Sequence, residues 1–180
     1  MRRIGVLIVC AVALTGCGSD SPKSAGEPSS AALEGSPAPL AALHDQANRL
    51  LGGGPDAFKR RLRKLRGYPV VVNKWASWCG PCRAEFPYFQ RESQKLGKRI
   101  AFIGVNSNDN DGDARSFLRQ FPVSYPSYSD GDLAIAAVFN GVQAFPTTAF
   151  YDEKGGLAYV HQGAYQSEQK LAADINRYAR

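Results

Sequence analysis

The chain has little from which to build a membrane span, a metal centre or a disulfide framework. Its N-terminal apolar run, residues 4–14, is eleven residues long, well short of the roughly 20 needed to cross a bilayer as a helix. It contains only two histidines, His44 and His161, and four cysteines. Cys10 lies inside the apolar run and Cys17 just after it, so only Cys79 and Cys82 fall in sequence rich enough to fold. Two cysteines cannot staple a disulfide scaffold. A zinc site built on them would need further ligands that two scattered histidines and no second cysteine pair do not offer. Excess charge is also scarce. The formal net charge of +6 drops to +4 without residues 1–16, because Arg2 and Arg3 leave and no acid does, which is too mild to indicate nucleic acid as a partner. No internal repeat is visible. With 180 residues, 44% of them hydrophobic, one globular domain plus some non-globular sequence is expected.

What is present is organised around Trp78-Cys79-Gly80-Pro81-Cys82. The upstream sequence reads as an export and tethering device. Arg2 and Arg3 precede the short apolar run, the pattern of an export signal, and Leu14-Thr15-Gly16-Cys17 resembles the bacterial lipobox, in which the signal is removed before a cysteine that then carries lipid. Residues 1–16 are therefore expected to be a lipoprotein signal peptide and residues 17–39 a lipidated Cys17 followed by a tether rich in Ser, Gly, Pro and Ala, reaching on the order of 25 Å as a random coil. Export suits a reactive cysteine pair, since disulfides persist outside the cytosol.

Residues 40–180 are expected to form the domain. After Gly52-Gly53-Gly54-Pro55, helical spacing of Phe58, Leu62 and Leu65 predicts a helix capped by Asp56. Its other faces carry Lys59, Arg60, Arg61, Arg63, Lys64 and Arg66, six positive charges in eight residues. These form either a solvated outer face or a patch for anionic lipid or an acidic partner. Residues 70–76 (VVVNKWA) read as a buried strand that delivers the cysteines, and Phe86, Phe89 and Leu96 continue in helical register with Cys82, with a kink expected at Pro87. Residues 99–106 form a second buried strand, completing a βαβ unit. The loop from Ser107 to Asp113 has a superficial likeness to a calcium loop. However, Ser107 and Leu118 stand where carboxylates are required, and an acidic start to a helix over 114–120 explains the loop better. Residues 122–128 read as irregular or briefly extended, and a helix is predicted to start at Asp130-Gly131-Asp132. Residues 147–151 and 157–161 form a hairpin, and a final helix runs from 167 to about 178.

Taken together, the elements predict an α/β domain with a mixed central β-sheet and helices on both faces. The motif resembles that of the thioredoxin family. Trp78-Cys79-Gly80-Pro81-Cys82 matches its signature, Pro87 its helix-kinking proline, and Phe145-Pro146-Thr147 its cis-proline loop ahead of the hairpin. Val72-Asn73, Trp75 to Cys79 and Glu85-Phe86-Pro87 are similar to the extracytoplasmic, membrane-anchored TlpA/ResA-like branch. The resemblance implies a thioredoxin fold and a thiol-disulfide oxidoreductase. Cys79, at a helix N-terminus that stabilises a thiolate, would be the nucleophile, and Cys82 would resolve the mixed disulfide. Trp78, Gly80, Pro81 and Phe145 would line the substrate site, with Pro146 in the cis form. Cytosolic thioredoxins carry a buried acid at the position of Asn73, so the resemblance assigns a proton-transfer role to Glu85.

Expected partners are exported proteins with reactive thiols or disulfides and a membrane electron donor or acceptor, with Cys17 as lipid anchor to the bacterial cell membrane. A monomer is expected, and no bound cofactor and no nucleic acid. The Gly-Pro dipeptide between the cysteines resembles that of reducing thioredoxins, and the resemblance implies a reductant of the kind used in cytochrome c maturation. A disulfide-forming oxidase and a non-catalytic tethered binding module are the alternatives. Peroxide reduction is disfavoured because no threonine or arginine is arranged around Cys79.

Overall fold

The computed structural model describes residues 30–180. The expected signal segment, Cys17 and most of the expected tether lie outside the described residues. Thirteen elements follow in order: α1 (Ser30–Leu33), α2 (Ala38–His44), β1 (Leu50–Leu51), α3 (Gly54–Lys64), β2 (Val70–Trp75), α4 (Gly80–Leu96), β3 (Ala101–Ser107), α5 (Asp111–Gln120), β4 (Ser127–Asp130), α6 (Ala134–Val138), β5 (Thr147–Tyr151), β6 (Leu157–Gln162) and α7 (Glu168–Tyr178). The six strands form one sheet in the order β1-β4-β3-β2-β5-β6. β1 to β4 are mutually parallel, β5 runs antiparallel to β2, and β6 runs antiparallel to β5 and so in the direction of β1 to β4.

β2 lies at the centre because its residues can be buried on both faces, and all six of them are. Alternation along the strand divides them between two cores. Val71 and Trp75 join Phe86 and Phe89 of α4, Phe117 of α5 and Leu171 and Ile175 of α7. Val70 and Val72 join Leu40 and Leu43 of α2, Phe58 of α3 and Ile135 of α6. The sheet is therefore covered on both faces, the arrangement that the sequence implies. Trp75 anchors the first core. It packs edge-on to Phe86 and stacks on Phe117, and its Nε1 donates to Ser127 Oγ at 3.1 Å. Gly104 is required beside it, since a Cβ there would fall 2.0 Å from that same Ser127 Oγ.

Several boundaries differ from the sequence reading, each for a local reason. α3 begins at Gly54 behind Gly53, whose φ of 100° is one that glycine adopts without strain, so Asp56 sits in the first turn instead of capping it. α5 starts earlier than expected, at Asp111, because Asn110 caps it by accepting from Asp113 N at 2.9 Å. Asp130 ends β4 and does not open a helix. Its carboxylate reaches forward to accept from Ile135 N and Ala136 N at 2.6 and 3.0 Å, capping α6 from outside. Structure also begins before residue 40: α1 lies within the stretch expected to be tether, and Leu33 is buried against the end of α4, where a Cβ on Gly97 would meet its Cδ2.

Candidate active site

Parallel strands deliver their following loops to one end of the sheet, the usual place for chemistry in such folds. β2 ends at Trp75, and the chain turns through Ala76, Ser77 and Trp78 into α4. Cys79 is the N-cap of α4, with extended backbone (φ −83°, ψ 103°), and Pro81 occupies the first turn where its missing N–H costs nothing. Cys82 N donates to Cys79 Sγ at 3.1 Å. The helix thus directs an otherwise unpaired N–H at the sulfur that would carry negative charge when the pair is reduced. The two sulfurs are joined in a disulfide. Cys79 is 4% exposed and Cys82 fully buried, an asymmetry that suits the first to meeting a partner and the second to resolving the bond.

Aromatic groups gather around this turn. Trp78 is 55% exposed, the most exposed large apolar side chain of the described residues, yet its Nε1 is fixed by donating to Asn108 O at 2.9 Å. Its ring lies 4.9 Å from that of Phe145, and the Phe145–Pro146 peptide is cis. The cysteine turn and the proline loop, 67 residues apart along the chain (145 − 78), thus meet as one surface.

Glu85 is completely buried on α4, three residues past Cys82 and so on the same helix face. Asn73 Nδ2 donates to its Oε1 at 2.9 Å and Tyr165 N to its Oε2 at 3.0 Å. Burial raises its carboxyl to about 7, against the downward pull of the Tyr165 and Asn73 hydrogen bonds. A carboxyl that gains and loses its proton near neutrality, one turn from Cys82, has the properties of a proton-transfer group.

Two further residues complete the site and were not singled out by sequence pattern. Asp109 accepts from both the amide and the hydroxyl of Ser77, at 2.6 and 2.9 Å, and from Asn106 Nδ2 at 2.8 Å. The loop that looked faintly like a calcium loop instead clamps the cysteine turn through Asp109 and caps α5 through Asn110. The second is Lys74, which points to the opposite face of β2 from Asn73. It is fully buried; its Nζ donates to Gly141 O at 2.5 Å and lies 3.7 Å from the Phe145 ring centroid. Burial lowers its ammonium to about 8, with Asp130 pulling the other way. Lys74 thereby holds the segment leading to Pro146 from beneath, and its signal was a lone cation in a strand buried on both faces. His161 stacks on Tyr165 at 4.2 Å and His44 lies beside Gly97; neither is placed against the cysteines. Cys17 lies outside the described residues.

Comparison with known proteins agrees with this architecture. A profile of the Redoxin family matches residues 34–175. The chain is similar to the thioredoxin-like protein YneN of Bacillus subtilis, 32% identical over 122 residues that cover 64% of this chain and 71% of that protein. It is also similar to the thiol-disulfide oxidoreductase ResA of Halalkalibacterium halodurans, 31% identical over 105 residues, 57% of this chain and 58% of ResA. Among solved structures, a Chlorobium tepidum chain assigned as thiol:disulfide interchange protein DsbE superposes with a TM-score of 0.59 at 30% identity, covering 64% of this chain and 83% of that one. The mixed six-stranded sheet with its flanking helices is a thioredoxin fold.

Proposed function

The chain belongs to the redoxin family and is a thiol-disulfide oxidoreductase of the DsbE/ResA type, and from that premise we propose that Cys79 and Cys82 exchange electrons with exported proteins, as a reductant, from an extracytoplasmic domain tethered to the membrane through a lipid on Cys17. In the reduced enzyme the Cys79 thiolate attacks one sulfur of a substrate disulfide, forming a mixed disulfide and releasing one substrate thiolate. The Cys82 thiolate then attacks Cys79 Sγ, regenerating the Cys79–Cys82 disulfide and releasing the second thiolate. Two electrons pass to the substrate, and Glu85 accepts the proton that Cys82 gives up. A membrane electron donor restores the dithiol. Trp78, Gly80, Pro81 and Phe145 receive the substrate as an extended chain beside Pro146, whose missing N–H leaves the neighbouring backbone free to pair.

The observation that carries this reading is Cys79 as N-cap of α4, with the Cys82 amide donating to its sulfur. Thiol-dependent reduction of insulin tests it. Cys79→Ser is expected to abolish turnover, and Cys82→Ser to accumulate mixed disulfides with exported proteins; a wild-type chain without turnover would leave only a binding role. Direction is tested by the reduction potential and by the state of the pair in cells, since for two electrons about 30 mV changes the equilibrium tenfold. A mostly reduced pair supports the reductant, a mostly oxidised one an oxidase.

A further inference from the structure

Because β1 to β4 are parallel, the domain has two distinct ends, and their charges differ. At the end where the strands finish, beside Cys79, the exposed acids Asp111, Asp113 and Asp132 and the half-buried Asp109 outnumber the exposed cations Arg83, which donates to Ser77 O, and Arg115, which pairs with Asp111. At the other end the chain enters β2 at Val70 and β3 at Ala101. β5 leaves there too, since Tyr151 pairs with Val70. Four separate segments bring exposed cations to it. The end of α3 supplies Arg63, Lys64 and Arg66, the turn after α4 supplies Lys98 and Arg99, and the β5–β6 turn supplies Lys154. Arg180 is drawn alongside, its carbonyl accepting from Glu153 N, and Glu153 O accepts from Gly67 N at 2.7 Å, so these segments are contiguous. The acids near this end are Glu34, Asp45, Asp152 and Glu153, fewer than the seven cations. None of the seven takes part in an ion pair among the described residues.

We infer that this cationic end is a docking surface for an anionic lipid bilayer, turning the Cys79–Cys82 end away from the membrane and towards exported proteins. A second observation selects lipid over an acidic protein. α1 packs beside Gly97, immediately before Lys98 and Arg99, so the segment that leads back to Cys17, thirteen residues before Ser30, joins the domain at the same end. Lipidation at Cys17 brings this end to a membrane, although the charge pattern itself does not depend on that reading. A basic residue close to an anionic bilayer gains roughly fivefold in partitioning, so several cations on one end suffice to orient a small domain.

The test uses the full, processed chain on phosphatidylcholine vesicles with and without phosphatidylglycerol, probed by amine acetylation with acetic anhydride and mass spectrometry. Lys64, Lys98 and Lys154 are expected to react at least about fivefold more slowly on the anionic vesicles. Lys170, at the start of α7 near the opposite end, should be unchanged. The protection should vanish in about 1 M salt, where the Debye length is ~3 Å. It should also vanish in Arg63→Glu/Arg66→Glu/Arg99→Glu, with insulin reduction unaltered. Equal modification on both vesicle types, which would leave the end to an acidic protein, or protection of Lys170 instead, overturns the inference. Retention on phosphatidylcholine alone reports the Cys17 anchor separately. A chain that leaves neutral vesicles but shows the lysine protection on anionic ones loses the anchor and keeps the docking surface.

Discussion

Asn73 and Lys74 are neighbours in one buried strand, and they serve opposite faces of it. Asn73 points into the α4 layer, where it is neutral and donates to a carboxyl whose charge is suppressed by burial. Lys74 points into the α6 layer, where a carbonyl and an aromatic face receive its ammonium. The strand thus supports the cysteine turn from both sides, by a proton-handling group on one face and a loop-holding cation on the other. Each is a polar group that an all-apolar strand would not need, and each contributes by what it positions.

The largest effect expected from separating the two faces is kinetic. Glu85→Gln keeps a carbonyl to accept from Tyr165 N and offers its NH2 to Asn73 Oδ1, which is otherwise unpaired and can turn to accept. It cannot take a proton, however, and it should slow insulin reduction by about a hundred- to a thousandfold at pH 7 with the circular dichroism spectrum unchanged. A decrease of less than tenfold would demote Glu85 to packing.

Stability against pH sharpens the contrast, because the two groups act with opposite sign. The folded pKa of Glu85 is raised from 4.5 to about 7, so the native state holds a proton that the unfolded chain has lost between those values. Stability therefore falls as pH rises from 4.5 to 7, by about 3 kcal/mol. The pKa of Lys74 is lowered from 10.5 to about 8, so the unfolded chain binds the extra proton and stability rises as pH climbs from 8 to 10.5. Urea unfolding of the wild type should therefore show a minimum between pH 7 and 8. Glu85→Gln should remove the acid-side slope and leave the alkaline one.

Lys74→Met addresses the other face. It leaves Gly141 O without its donor and frees the segment before Pro146, and the expected result is about a tenfold rise in KM for a peptide disulfide. The rate with a small thiol such as dithiothreitol should not change; an equal loss with both substrates would mean general damage to the fold. The smallest effect belongs to a residue on neither face. Ser77→Ala removes only the hydroxyl bond to Asp109 and should cost about 1 kcal/mol in urea unfolding, with less than a threefold change in turnover.

Much of this arrangement was legible from local pattern. The hydrophobic run of 70–76, the proline in the first helical turn and the paired apolar runs 147–151 and 157–161 each reflect physics acting within a few residues. Boundaries were lost where a distant or unconventional group decided them. Asp130 caps α6 from the end of another strand, and β1 is only two residues long, held by pairing with β4. The Asp109 clamp was invisible because its partner, Ser77, lies 32 residues away.

By itself the sequence determined the dithiol, its place at the start of a helix and the buried strand that carries it there, because N-caps, turns and periodic burial are short-range properties of the chain. Only the tertiary structure decided that Glu85 is buried against Asn73 and Tyr165, that Lys74 supports the proline loop, and that cations from four segments share one end. Those facts depend on which residues meet across the sheet, and burial, which shifts the Glu85 and Lys74 pKa values, exists only once they have met.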